Sequence, residues 1–252
     1  TGEKIKSLSG TADVIKYTFG YVDDPEDTGN RPGIYIEFKE PWLNPTGFEE
    51  MVYKELDRLG MNIITQPEPE SNPFYVNGKV NTGNTNGKVI LQTFSLESLV
   101  RVAEHFEGKV PMCFLLWKGT GATDITYDDP LGYASFINLG VKYKAHFIGP
   151  CIAGAPNNYP ELNQPWQDYL IHKAGMKNHP YTFDTYDQMA KYFGQYNFGV
   201  EIDGKYRAPY LDALFTNHSD MSINYMITQG WRKSPASETL VDAKVVLERL
   251  GY

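Results

Sequence analysis

Two cysteines among 252 residues, Cys113 and Cys151, are too few for a disulfide framework and lack the spacing of a structural zinc site. Both are expected as buried free thiols. Cations are also scarce: 23 Lys and Arg stand against 31 Asp and Glu, a net charge of −8 at pH 7. A surface that grips phosphate backbones needs a clustered excess of Lys and Arg, so nucleic acid is excluded as a partner. No apolar run approaches the roughly 18 residues of a membrane span, so no transmembrane segment is expected. The opening stretch TGEKIKSLSG holds neither Met nor a signal-like apolar stretch, and residues upstream of it are expected. Internal repeats and a domain-dividing linker are missing too, which leaves one domain over 1–252 with 41% hydrophobic residues to fill its core.

What is present is an alternation of short apolar runs and amphipathic helices. GIYIEFKEP (33–41) reads as a strand. TGFEEMVYKELDRLG (46–60) reads as a helix with Thr46 and Glu49 as a capping box and Gly60 as its stop. KVILQTF (88–94) is the next strand. SLESLVRVAEHFEG (95–108) is the next helix, capped by Ser95, with Leu99, Val100, Ala103 and Phe106 as its apolar stripe and Gly108 as its end. Four more strands are expected in VPMCFLLW, YKAHFIGP, MKNHPYTF and YLDALFTN, with helices in QPWQDYLIHKAG and TYDQMAKYFGQ. The Asn- and Gly-rich stretch at 66–88 is expected as a loop or hairpin excursion, and 232–252 as a C-terminal helix. Strands alternating with helices imply a parallel sheet of the α/β class, doubly wound or closed into a barrel.

The first strand raises a chemical question. Alternation places Tyr35, Glu37 and Lys39 on one face and Ile34, Ile36 and Phe38 on the other. Charges on an inward strand face favour a barrel, whose lumen opens at the C-terminal ends of the strands. Two readings of the pair stand open: a carboxylate for a cation beside an ammonium for an anion, or an internal Glu37–Lys39 ion pair.

Five pieces in a fixed order, IYIEFKEP, ILQTFSLESL, MCFLLW, HPYTF and LFTNHSD, span 34–220 and resemble the glycerophosphodiester phosphodiesterases, particularly their extracytoplasmic branch. The resemblance implies an eight-stranded (β/α)8 barrel of TIM type, of which this chain supplies about six strands, and an extracytoplasmic or secreted location. It implies that Glu37 binds a divalent cation, Ca²⁺ or Mg²⁺, and that Lys39 faces the phosphate of a small phosphodiester. It implies that Tyr181 walls the pocket against the alcohol part of the substrate. His179 is a candidate hydrogen-bond donor to the ligand or a satisfied core histidine. Phe94 and Trp117, at strand ends, are candidates for pocket lining or core.

The chain also departs from that family. Asn217 and Ser219 stand where Asp and Pro are usual, and Asn217-His218-Ser219 is formally a glycosylation sequon at an unfavourable place. The His-Arg-Gly, Glu-x-Asp and His-Asp motifs are missing, and His105, His146, His172, His179 and His218 do not stand in their contexts. No catalytic residue is therefore assigned within 1–252. The implied activity is metal-dependent phosphodiester hydrolysis, with both acid/base histidines on a companion chain or upstream segment that completes the barrel. The alternatives are a catalytically inactive barrel-derived module in an extracellular assembly, and a sugar-processing barrel using Glu37 and Asp212 as paired carboxylates.

Overall fold

The computed structural model describes residues 34–39, 47–67, 75–76, 79–80, 89–117, 129–195 and 211–230, with Lys244 and Glu248. The expected C-terminal helix at 232–252 lies, those two positions apart, outside the described residues.

Strand β1 (Ile34–Glu37) leads to helix α1 (Phe48–Arg58), and a small antiparallel pair follows, β2 (Tyr75–Val76) with β3 (Lys79–Val80). Then come β4 (Val89–Thr93), α2 (Leu96–Phe106), β5 (Met112–Leu116), α3 (Pro130–Lys142), β6 (Phe147–Pro150), α4 (Pro165–Lys173) and β7 (Lys177–Asn178). A short helix α5 (Tyr186–Met189) runs on into a π-helical turn (Ala190–Gln195), and α6 (Ser219–Thr228) closes the described chain. Five of these strands form one parallel sheet in the order β1-β4-β5-β6-β7.

Six strands were expected and five join the sheet. The sixth candidate is an extended segment, 211–215, that runs beside the chain past β7 in the same direction. Asp212 N donates to Asn178 O at 3.0 Å and Phe215 N to Pro180 O at 3.0 Å. Pro180 has no N–H to give back, which leaves the ladder irregular.

Strand order follows chain order once the β2–β3 excursion is set aside, so the sheet has no point where its winding reverses, unlike a doubly wound sheet. The packing agrees. Leu91, Met112, Phe114, Leu116 and Ile148 meet Leu56 of α1, Leu99, Val102 and Phe106 of α2, Phe136 of α3 and Ile171 of α4 in one core. The opposite face gathers Cys113, Leu115 and Phe147 with Tyr35, Ile90, Phe94, Tyr181 and Phe215, and no helical residue is among them. All the crossover helices thus lie on one side of a singly wound sheet.

That sheet is strongly curved. Laid flat, five strands would hold their outermost members roughly 19 Å apart, four spacings of about 4.8 Å. Yet the Tyr35 hydroxyl of β1 reaches His179 Nδ1, just past β7, at 3.1 Å, and its ring meets Phe215 edge-on at 4.8 Å between centroids. Among the described residues β1 pairs on one side only, with β4, so the five strands do not close on themselves.

Capping follows sequence chemistry in most helices. Ser95 Oγ accepts from Ser98 N at the start of α2, which ends at Glu107 in the left-handed region (φ 55) followed by Gly108. Asp129 caps α3 ahead of Pro130, and Thr185 caps α5. The expected Thr46–Glu49 box does not hold at α1. Thr46 lies outside the described residues, the N-cap is Gly47 at φ 138 without a side-chain bond, and Glu49 turns to α2 instead. There its fully buried carboxylate accepts from Ser98 Oγ at 2.6 Å and from Arg101 at 2.8 and 3.0 Å. The stripe of α2 shifts accordingly: Ser98, Leu99, Val102 and Phe106 are buried, while Val100 and Ala103 are only half-buried.

Burial works against the Glu49 charge, but the Arg101 and Ser98 hydrogen bonds outweigh it and hold its carboxyl below the usual range. Charge-assisted hydrogen bonds of this kind contribute about 1.5–3 kcal/mol. Glu49→Ala is therefore expected to lower unfolding stability by about 1.5–3 kcal/mol in a urea titration, and Arg101→Ala, which also leaves a buried carboxylate alone, by at least as much. A change under about 0.5 kcal/mol in both would mean that the α1–α2 contact is carried by its apolar residues alone.

Candidate functional site

The C-terminal end of β1 is fixed by β4. Phe38 N donates to Gln92 O at 2.8 Å, and Thr93 Oγ1 donates to Phe38 O at 3.2 Å while accepting from Ser95 N. Phe38 is thereby locked into the helix-side core at 1% exposure. Parity then turns Glu37 and Lys39 toward the concave face that Tyr35 occupies. Glu37 is half-buried and Lys39 exposed, and among the described residues no ion pair joins them. The internal ion-pair reading of this pair is thus absent from the structure.

Across the concave face from this end lies a buried aromatic floor. His179 stacks on Phe147 at 4.1 Å and 13° and takes the Tyr35 hydroxyl, with the Cys113 thiol against that hydroxyl. His179 is 4% exposed, and burial pulls its pKa down to about 4. Burial likewise pushes the Cys113 thiol up to about 12. The floor is packed to contact: a Cβ on Gly149 would meet Leu115 Cδ2 at 2.7 Å, Cys113 Sγ at 3.0 Å and the His179 carbonyl at 3.1 Å.

Above the floor, aromatic rings from four strand ends form a rim. Phe94 meets Tyr181 edge-on at 5.8 Å, Tyr181 meets Tyr159 at 6.0 Å, and Tyr159 meets Trp117 at 6.2 Å. Tyr181 is anchored by donating to Leu116 O at 3.0 Å. The loop that carries Tyr159 is tied down by Asn157 Nδ2 to Thr182 O at 2.6 Å and by Cys151 Sγ to Pro160 O at 3.3 Å. Trp117 and Tyr159 are 43% and 37% exposed, so the outer end of the rim is open to a solute. Phe94, Trp117 and Tyr181 therefore belong to one surface, whereas His179 lies in the floor.

Two further residues were not anticipated. Tyr159 sits in a Pro- and Asn-rich loop without periodicity to betray it. Gln92 gave the same signal as Glu37, a polar residue at an inward strand position between Ile90 and Phe94. It is the register partner of Glu37, 9% exposed, and among the described residues its Oε1 has no hydrogen-bond partner.

Other candidates have structural tasks. Asp212 does not pair with Glu37: its carboxylate accepts from Asn178 N and His172 Nε2, both at 2.8 Å. His172 also stands 3.3 Å from Asp168, itself bonded to Asn178, so one imidazolium ties α4, β7 and 211–215 together. His146 bonds Met112 N and the Gly108 carbonyl beneath β5. Asn217 Nδ2 donates to Asp184 Oδ2 at 3.0 Å, and an Asp here would set two carboxylates against each other. Both cysteines are buried free thiols. Among the described residues no group of three or more His, Cys, Asp or Glu is disposed to hold a metal ion, and no helix is long and apolar enough to cross a membrane. No family model matches this chain, and no curated protein matches it.

The histidines make stability bell-shaped in pH. Burial opposes the His172 charge, but the Asp168 and Asp212 carboxylates outweigh it and push its pKa up to about 9, so its contribution is complete below the unfolded value near 6.5 and lost as pH rises toward 9. His146 and His179 are pulled down to about 4 by burial; the unfolded chain takes up their protons first, and stability is lost as pH falls from about 6.5 toward 4. Thermal unfolding is expected to show a maximum near neutrality. His172→Gln should flatten the alkaline limb and leave the acid limb in place, and an unchanged alkaline limb would refute the role given to His172.

Proposed function

We propose that the chain is the C-terminal part of a (β/α)8 barrel of glycerophosphodiester phosphodiesterase type, and that it supplies the phosphate- and alcohol-binding part of a metal-dependent phosphodiester hydrolase. One observation carries the reading: Glu37 and Lys39 project from the C-terminal end of β1 onto the concave face of a singly wound parallel sheet whose neighbouring strand ends build an aromatic rim. In barrels of this winding, chemistry is placed at that end. The curvature between β1 and 211–215 supports a closure completed by further strands outside the described residues.

The residues fit a hard divalent cation as a partial donor set. Glu37 offers a carboxylate, and the unpartnered Gln92 oxygen lies beside it in register. The cation would polarise a phosphoryl oxygen. Lys39 would offset the charge of the phosphodiester and of its more highly charged transition state. Tyr181 and Phe94 would exclude water from the alcohol leaving group. Acid/base histidines belong in this reading to the companion segment, since His146, His172 and His179 are committed to packing within the chain. An extracytoplasmic location remains part of the proposal and rests on the family resemblance alone.

The test is binding without turnover. With Mg²⁺ or Ca²⁺, the 252-residue chain is expected to bind glycerol 3-phosphate in a ³¹P NMR titration and to leave glycerophosphocholine uncleaved. Lys39→Met should weaken that binding about tenfold, the worth of about 1.4 kcal/mol. Absence of phosphate binding would sink the reading. Rapid hydrolysis by the chain alone would show that its acid/base groups lie within 1–252.

A further inference from the structure

We propose that Gln92 Oε1 is a cation ligand, acting with Glu37 to hold a Mg²⁺-type ion whose remaining positions are filled by water and a phosphate. This deepens the metal reading of Glu37 and rests on it.

The geometry is that of direct neighbours. Glu37 and Gln92 are Cα partners across the parallel β1–β4 pair and share the concave face, so their side chains rise side by side from adjacent strands. Among the described residues nothing donates to the Gln92 oxygen. Backbone N–H groups around it are spent in the ladder, as with Phe38 N on the Gln92 carbonyl. The Cys113 thiol, next along the same row, lies against Tyr35. An ionised carboxylate is an acceptor only, and so is an amide oxygen. Two such oxygens brought together from register partners repel each other unless a cation or a donor stands between them.

Chemistry selects the ion. Carboxylate and amide carbonyl oxygens are hard donors that suit Mg²⁺ and Ca²⁺ rather than thiophilic metals. Ca²⁺ takes about 6–8 oxygens from its surroundings, whereas Mg²⁺ keeps several waters and is typically held by one or two protein oxygens plus a substrate phosphate. Two protein oxygens with Lys39 next to them describe the second case. The phosphate would then be bound between the ion and the ammonium, and the two ligands should bind cooperatively.

The experiment uses Mn²⁺ as the spectroscopic stand-in for Mg²⁺, read by electron paramagnetic resonance on the whole 252-residue chain with and without inorganic phosphate. The wild type is expected to bind Mn²⁺ and to bind it more tightly when phosphate is present. Gln92→Leu should weaken Mn²⁺ on the order of 10-fold or more, as losses around metal ligands do. Gln92→Glu should hold Mn²⁺ at least as tightly as wild type, and it decides the matter if the Leu variant fails to fold. Glu37→Gln should abolish the signal change. If wild type binds no Mn²⁺, the metal reading and this inference fall together. If Glu37→Gln loses the ion while Gln92→Leu keeps wild-type affinity, or if Gln92→Glu binds more weakly than wild type, Glu37 stands as a ligand and Gln92 does not. Displacement of Mn²⁺ by Ca²⁺ at lower concentration than by Mg²⁺ would overturn the choice of ion.

Discussion

The contact on which the rest of the molecule depends is the hydrogen bond between Tyr35 and His179 across the concave face. It joins the first strand of the sheet to the chain just past the last, which a flat sheet could not do. A sheet bent this far has an inside and an outside. The outside is wide enough for four helices, and the inside is narrow enough that one tyrosine spans it. Burial keeps the imidazole neutral, and Nδ1 of the neutral ring shares a single hydrogen with the Tyr35 hydroxyl. The curvature and the protonation state therefore support each other.

From that curvature follows the division between floor and rim. At the level of Tyr35 the side chains meet in the middle, and at Gly149 there is no room for even a Cβ. Glu37 and Gln92 stand at or near the C-terminal ends of β1 and β4, in one register row with Cys113 and Phe147. Glu37 is half-buried there and Gln92 buried, while Lys39 and the Trp117–Tyr159 pair are exposed beyond them.

How much of this was legible beforehand depended on the range over which each residue acts. The runs around Val89–Thr93, Met112–Leu116 and Phe147–Pro150 are apolar on both faces because sheet and helices bury both, and such runs announce themselves. The side of the sheet to which Glu37 belongs was readable too, since period-2 alternation is local. Glu49 was not: its spacing from Thr46 fits a capping box, but Ser98 and Arg101, about fifty positions on, offered a better-buried partner. The last strand run was also overread, because Pro180 interrupts the ladder where alternation alone would continue it. Tyr159 is placed by loop bonds that no pattern encodes, and Gln92 was passed over although it carried the same alternation signal as Glu37.

Gln92 also bears on the choice between a working site and an inert barrel-derived module. A buried acceptor without a donor costs about 1–3 kcal/mol, and filling the same volume with Leu or Met would remove that cost. An apolar residue at this position would serve folding better than an amide whose buried oxygen has no partner among the described residues. The floor shows that this chain can bury an apolar face: Cys113, Leu115 and Phe147 are all shielded from solvent there. The polar pair shares its register row with Cys113 and Phe147 and is a local departure from the apolar packing of the rest of that face. Departures of this kind make physical sense where an occupant offsets them on binding, and a metal cation, an ammonium group or a water with two donors each satisfies two acceptors at once.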